Sequence, residues 1–254
     1  MQEFKDKLVV ISGGVGDIGQ AMAIAFLDAG STVCLADKMD LEQATQKFPL
    51  LERESRLHYQ QVDISDYEQV THWLLGCRER YGALSICIPN ASRVTLKNFQ
   101  SISAQEWKDE LDVNLHGAFY MANEAARLFI EDKVAGNIVF LGSWAGHAVH
   151  KNLPTYSVSK AAVRMLCQSM ALEFAAYGIR VNEVAPGYVN AGLSKVVWAD
   201  APEQQTAASK VVPLGSILES EEVAKQVLWI CSENSRLLTG ATIVLDGGLS
   251  LLRP

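Results

Sequence analysis

Seven short apolar runs recur along the chain, each separated from the next by a longer amphipathic or polar stretch. They are Leu8–Ile11, Val33–Ala36, Leu57–Val62, Ser85–Ile88, Asn137–Leu141, Arg180–Val184 and Thr242–Leu245. Several are apolar at every position, which marks strands covered on both faces rather than strands with one wet side. The segments near 18–30, 66–81, 103–131, 155–177 and 220–232 carry helical periodicity. Strands alternating with helices build a parallel sheet through right-handed crossovers, with helices on each face. No Pro/Ser-rich linker, repeat or low-complexity tract divides the sequence. The expected fold is therefore a single doubly wound α/β domain over residues 1–254, built on a seven-stranded parallel sheet.

In such a sheet, ligands sit beyond the carboxyl ends of the strands. The chemically informative residues stand there. Ser12-Gly13-Gly14-Val15-Gly16-Asp17-Ile18-Gly19 follows the first run, Asp37 the second, Asp63 the third, Asn90 the fourth, Ser143 the fifth and Pro186-Gly187 the sixth. Glycines permit a tight turn and close backbone approach, and the helix opening after them presents unpaired N–H groups suited to a pyrophosphate. These features predict a Rossmann-type dinucleotide site. Asp37 lies 18 residues after Gly19, where a carboxylate accepts hydrogen bonds from both ribose hydroxyls. A 2′-phosphate there meets like charge, which favours NAD over NADP, although the adjoining Lys38 softens the repulsion. Asp63 either accepts from an adenine amino group or serves as an Asx turn or N-cap for the next helix.

Tyr156 and Lys160 are four residues apart and share one helix face. A phenol titrates near ~10, too high for useful proton exchange at neutral pH. An ammonium beside it favours the phenolate, and a downward shift of roughly 2–3 units is expected. Ser143, 13 residues before Tyr156, offers a hydroxyl to the same substrate oxygen. Tyr and Lys at this spacing occur on many solvated helices. It is the shared strand-end placement that separates this pair from chance.

The chain resembles a short-chain dehydrogenase/reductase along essentially its whole length. The likeness rests on the glycine turn, Asp37, Val62-Asp63, Asn90-Ala91, Asp112-Val113-Asn114, Ser143, Tyr156-x-x-x-Lys160, Pro186-Gly187, Thr239-Gly240 and Asp246-Gly247-Gly248. It implies a catalytic tetrad of Asn114, Ser143, Tyr156 and Lys160. Tyr156 exchanges a proton with the substrate oxygen, Ser143 holds that oxygen, Lys160 binds the nicotinamide ribose, and Asn114 supports a water-linked proton path. The cofactor residues implied are Ser12, Gly13, Gly16, Asp17, Ile18, Gly19, Asp37, Asp63, Ile64, Asn90, Ala91, Tyr156, Lys160, Pro186, Gly187 and Val189. A homotetramer is implied too, with the helices near 103–131 and 155–177 pairing between subunits and the C-terminal segment at another interface.

The family pattern is departed from at several positions. Ser12 stands for Thr, and Asp17 takes the place of the middle glycine; it suits an N-terminal cap whose charge points away from the pyrophosphate. The usual Asn-Asn-Ala-Gly reads Pro89-Asn90-Ala91-Ser92, which removes a backbone donor and adds a hydroxyl beside the nicotinamide. Ala191 replaces a Thr that often contacts the carboxamide, leaving backbone contacts from Val189. A substrate lid is expected over about 190–213, with Leu193, Val196, Val197, Trp198 and Pro213. Trp144, His147, His150, Asn152 and Tyr188 are expected at the pocket entrance. That mixture suits a sugar, polyol or other small polar secondary alcohol. A reductase of 3-oxoacyl thioesters or steroid-like ketones is the second reading. The third is a non-catalytic cofactor-binding regulatory or scaffold protein, supported only by Asp17, Ser92 and Ala191.

A net charge of −7 with no Lys/Arg cluster argues against nucleic acid as a partner. Cys34, Cys77, Cys87, Cys167 and Cys231 are scattered and lack metal-ligand spacing, so buried free thiols and no metal site are expected. No apolar stretch approaches the ~18 residues of a membrane span, and the first residues lack a signal-peptide core. A cytoplasmic location is expected.

Overall fold

The computed structural model describes residues 3–252, with the side chains of 193, 196 and 197 outside that description. All seven runs are strands: β1 (Leu8–Ser12), β2 (Thr32–Asp37), β3 (Leu57–Gln61), β4 (Leu84–Ile88), β5 (Asn137–Leu141), β6 (Arg180–Pro186) and β7 (Thr242–Leu245). They form one parallel sheet in the order β3-β2-β1-β4-β5-β6-β7. The expected Rossmann-type sheet is present.

The two-faced apolar strands divide their side chains between two cores. Leu8 and Val10 of β1, with Ile138 and Phe140 of β5, pack on one face beneath α3 (Tyr67–Tyr81), α5 (Ala118–Glu131) and α6 (Pro154–Phe174). Val9 and Ile11, with Val139 and Leu141, pack on the other beneath α1 (Asp17–Asp28) and α9 (Ser220–Cys231). All five cysteines are buried and free. Among the described residues no helix is long and apolar enough to cross a membrane.

Three helices lay outside the sequence reading. The first is α2 (Leu41–Lys47), which buries only Ala44 and so leaves no apolar stripe to read. It starts because the Asp40 side chain accepts from Gln43 N–H at 2.8 Å. The others, α7 (Gly192–Asp200) and α8 (Pro202–Val211), fall in the segment expected as a lid. The long stretch near 103–131 is helical throughout but not uniform. Between α4 (Ala104–Leu111) and α5 it widens into a π-helical turn over Asp112–Gly117, a form that concentrates at functional sites. Asn114 lies in that turn.

Candidate active site

Strand order reverses at β1, whose neighbours are β2 and β4, and a cleft of about 1030 Å³ opens there at the carboxyl ends. One end of it is the glycine turn. Gly13 has φ +62°, and a Cβ on it would lie 2.8 Å from Ala91 Cα; a Cβ on Gly19 would lie 2.3 Å from Gly13 O. Neither position admits a side chain. The first N–H groups of any α-helix lack intrahelical partners. In α3 and α4 the side chains of Asp66 and Ser103 cap them, whereas no side chain caps α1. That uncapped end, lined by Gly16, Ile18 and Gly19, faces the cleft and suits an anionic pyrophosphate.

Asp17 corrects one expectation: it does not cap its own helix. Its Oδ2 accepts from Gly192 N–H at 2.7 Å and its Oδ1 stands 3.5 Å from Lys195 Nζ. The carboxylate reaches across the cleft to the first turn of α7, where helix dipole and ammonium both favour a negative charge. Asp17→Ala should therefore speed amide exchange at the start of α7 by about five- to thirty-fold. Unchanged exchange there would show that the contact holds nothing.

Ser12 is a second correction. It is fully buried, and its hydroxyl accepts from Asn90 N–H at 3.1 Å and Ala91 N–H at 3.2 Å. Asn90 Nδ2 returns hydrogen bonds to Ser12 O at 2.9 Å and Gly13 O at 3.1 Å. Ser12 thus fixes the loop after β4 to the glycine turn and does not line the cleft.

The other expected cofactor residues line it: Gly13, Asp37, Asp63, Ile64, Asn90, Ala91, Pro186, Gly187 and Val189. One oxygen of Asp63 is engaged in an Asx turn, accepting from Ser65 N–H at 2.9 Å and Ser65 O–H at 2.7 Å.

At the opposite end Ser143, Tyr156 and Lys160 converge. Ser143 Oγ accepts from Ala145 N–H at 3.1 Å, which leaves its own proton free to donate. Lys160 is only 3% exposed; its Nζ donates to Leu141 O at 2.8 Å and stands 5.5 Å from the Tyr156 ring centroid. Burial lowers the Lys160 ammonium to about 8, against the opposing pull of Glu183 and Glu110. Burial also raises the Tyr156 phenol, while the hydroxyls of Ser143 and Ser92 beside it pull the other way. This reverses the expected direction. Desolvation of the phenolate outweighs the two hydroxyls, and Lys160 directs its hydrogen bond at the Leu141 carbonyl.

Asn114 does not line the cleft. It is 1% exposed, and its Oδ1 accepts from Arg93 N–H at 2.7 Å and Ser92 O–H at 3.1 Å. Its Nδ2 donates to Arg93 O at 2.9 Å and Ser159 Oγ at 3.1 Å. All four hydrogen-bonding positions of the carboxamide are filled by the protein.

Of the entrance residues, Trp144, His150 and Tyr188 line the cleft, whereas His147 and Asn152 do not. His147 is held outside by Arg164 at 2.9 Å. Trp144 meets His150 and Tyr188 edge-on, at 3.9 and 5.3 Å between centroids. Trp198 packs behind Tyr188 at 6.5 Å, and Pro213 packs near Gly248. The side chains of Leu193, Val196 and Val197 are outside the described residues. Sequence reasoning missed Arg93 and Asp109, which line the cleft together with Asp112 of the Asp112-Val113-Asn114 run. No motif singles out Arg93 or Asp109; the loop after β4 brings the first to the cleft and α4 the second.

A family model described as Enoyl-(Acyl carrier protein) reductase matches residues 14–250. The 3beta-hydroxysteroid dehydrogenase 1 of Eggerthella lenta is 32% identical over 98% of this chain and 95% of its own length. The chain belongs to the short-chain dehydrogenase/reductase family. Two further relatives are 30% identical. The glucose 1-dehydrogenase of Gluconobacter oxydans covers 98% of this chain and 93% of its own length. The NAD-dependent glycerol dehydrogenase of Listeria innocua covers 97% and 94%. A short-chain type dehydrogenase/reductase from Mycobacterium marinum superimposes with a TM-score of 0.88, at 28% identity, over 98% of this chain and 97% of that one. As a short-chain dehydrogenase/reductase, the chain is an oxidoreductase of CH–OH groups that uses a nicotinamide cofactor.

Proposed function

We propose that the protein is an NAD-dependent dehydrogenase interconverting a small polar secondary alcohol, a sugar or polyol, and its ketone. The observation that carries this is the cleft itself. An uncapped helix end and Asp37 lie at one end, and Ser143, Tyr156 and Lys160 at the other. The glycine turn, Asp37, Asn90 and the Pro186-Gly187 segment would hold the dinucleotide, which when bound supplies the hydride acceptor or donor. In oxidation, the alcohol O–H bond breaks and Tyr156 takes the proton. Ser143 donates its free O–H to the reacting oxygen. Lys160 anchors the ribose from its buried site against Leu141 O, and Asn114 braces the loop after β4 against α6.

The polar choice of substrate is supported by Arg93, Asp109 and His150 beside the aromatic pair Trp144 and Tyr188, and by relatives named for glucose and glycerol. The segment about 190–213 acts as the lid, held at its start by Asp17. Exposed apolar residues on α6, Met165 and Leu172, support the homotetramer, and five free cysteines suit the cytoplasm.

An NADH-forming screen over sugars, polyols and hydroxy acids, with a 3β-hydroxysteroid and NADP in parallel, tests the reading. Robust polyol or sugar turnover supports it. Turnover of the steroid alone replaces the substrate class, and cofactor binding without any turnover favours a non-catalytic role. Asp37→Ala should cut the NAD-to-NADP ratio of kcat/KM by about tenfold or more, because a charged acceptor for the ribose is lost. An unchanged ratio would show that Asp37 does not read the ribose.

A further inference from the structure

Ser92 stands where the family's usual run carries a glycine, and its hydroxyl adds a polar group to the cleft that Tyr156 lines. Its backbone is held from both sides. Ala91 N–H is bound by Ser12 Oγ, and both N–H and C=O of Arg93 are bound by Asn114. The hydroxyl donates to Asn114 Oδ1 at 3.1 Å. Ser92 is exposed and lines the same cleft as Tyr156, and its hydroxyl pulls the phenol downward against the effect of burial.

A serine hydroxyl has one proton and two lone pairs. At rest the proton goes to Asn114, whose oxygen also holds Arg93 N–H at 2.7 Å and so stays satisfied without it. We propose that Ser92 is a positioning residue for proton transfer, one that turns its O–H from Asn114 to the Tyr156 oxygen whenever that oxygen is ionised. The turn exchanges a neutral hydrogen bond for a charge-assisted one, which is shorter and stronger. The loop is already fixed on each side of the serine, so the hydroxyl turns on a backbone held in place. In alcohol oxidation the phenolate must exist before it can accept the substrate proton. Ser92 thereby offsets part of the desolvation that opposes ionisation at this site.

The proposal rests on Tyr156 as the proton acceptor, so its test needs a readout that does not require turnover. Tyrosinate absorbance of the cofactor-free chain, titrated with Tyr156→Phe as the background, isolates this phenol. Ser92→Ala should raise its titration midpoint by roughly half to one pH unit. The turnover number for alcohol oxidation at neutral pH should fall about three- to ten-fold. Cofactor KM should stay unchanged, and the gap should close as pH rises above the phenol's midpoint. Ser92→Thr, which keeps the hydroxyl, should restore the wild-type midpoint. Equal midpoints in wild type and Ser92→Ala, or a rate loss that is uniform with pH, would overturn the proposal. Retained turnover in Tyr156→Phe would instead bring down the proton-transfer assignment itself, and the titration separates the two failures.

Discussion

Replacing Tyr156 by Phe should leave cofactor binding intact and lower turnover by about 10²–10⁴-fold, the range a positioned acid–base group supplies. Phenylalanine keeps the ring, and therefore the packing beside Lys160, while removing the phenol oxygen assigned to exchange a proton with the substrate oxygen. The neighbours offer no substitute. Ser143 has a free proton to give but its oxygen is already accepting from Ala145 N–H, and a serine hydroxyl ionises far too high to act as a base. Lys160 is committed to Leu141 O and stands 5.5 Å from the ring. Asn114 has no hydrogen-bonding position left. The measurements are NADH binding by fluorescence titration and initial rates on the best alcohol of the screen. Wild-type-like rates would reject Tyr156 as the proton-transfer group. Loss of binding together with rate would show instead that the phenol holds the cofactor site together.

The raised phenol gives this site a pH dependence with a fixed sign. Oxidation requires phenolate and reduction requires phenol, so oxidation should accelerate with pH toward the phenol's midpoint while reduction slows. Lys160 adds that its ammonium loses its proton near 8.

The sheet was legible because every strand is short and most are apolar on both faces; Val9 and Val10, adjacent in sequence, enter opposite cores. The cleft residues were legible because a doubly wound sheet sends the end of each strand to one edge. What escaped the sequence depends on side-chain direction or on weak periodicity. Helix α2 shows no apolar stripe. Asp17 looked like a local cap, but its partner is 175 positions away at Gly192. Ser12 matched the motif yet faces inward to Asn90. Asn114 matched as well, and only the structure reveals that protein groups fill all four positions of its carboxamide. The sign of the Tyr156 shift was not legible because spacing places Lys160 on the right face without saying how far the phenol is stripped of water.

Lys160 makes the conflict between stability and chemistry measurable. Its ammonium titrates near 8 in the folded chain, against 10.5 for a solvated lysine, because burial strips it of water. A lowered folded pKa means that between these two values the unfolded chain holds more protons, so stability must rise with pH through that window. Below it, burying the charge costs about 3 kcal/mol. Lys160→Met removes the charge and keeps the stem's volume, but leaves Leu141 O without its donor, a loss of about 1 kcal/mol. The variant should thus be nearly inactive yet more stable than wild type at pH 7, by roughly 1–3 kcal/mol in urea unfolding. By about pH 9.5–10 that advantage should have largely vanished, since the wild-type ammonium is then neutral when folded. Tyr156 titrates in both chains and cancels from the comparison to first order. A difference that stays constant with pH would mean the ammonium is solvated in the folded protein. A variant less stable at every pH would mean that its bond to Leu141 outweighs its desolvation. The predicted outcome makes Lys160 a residue held against the interest of the fold, because the reacting end of the cleft needs a cation where the core has no water.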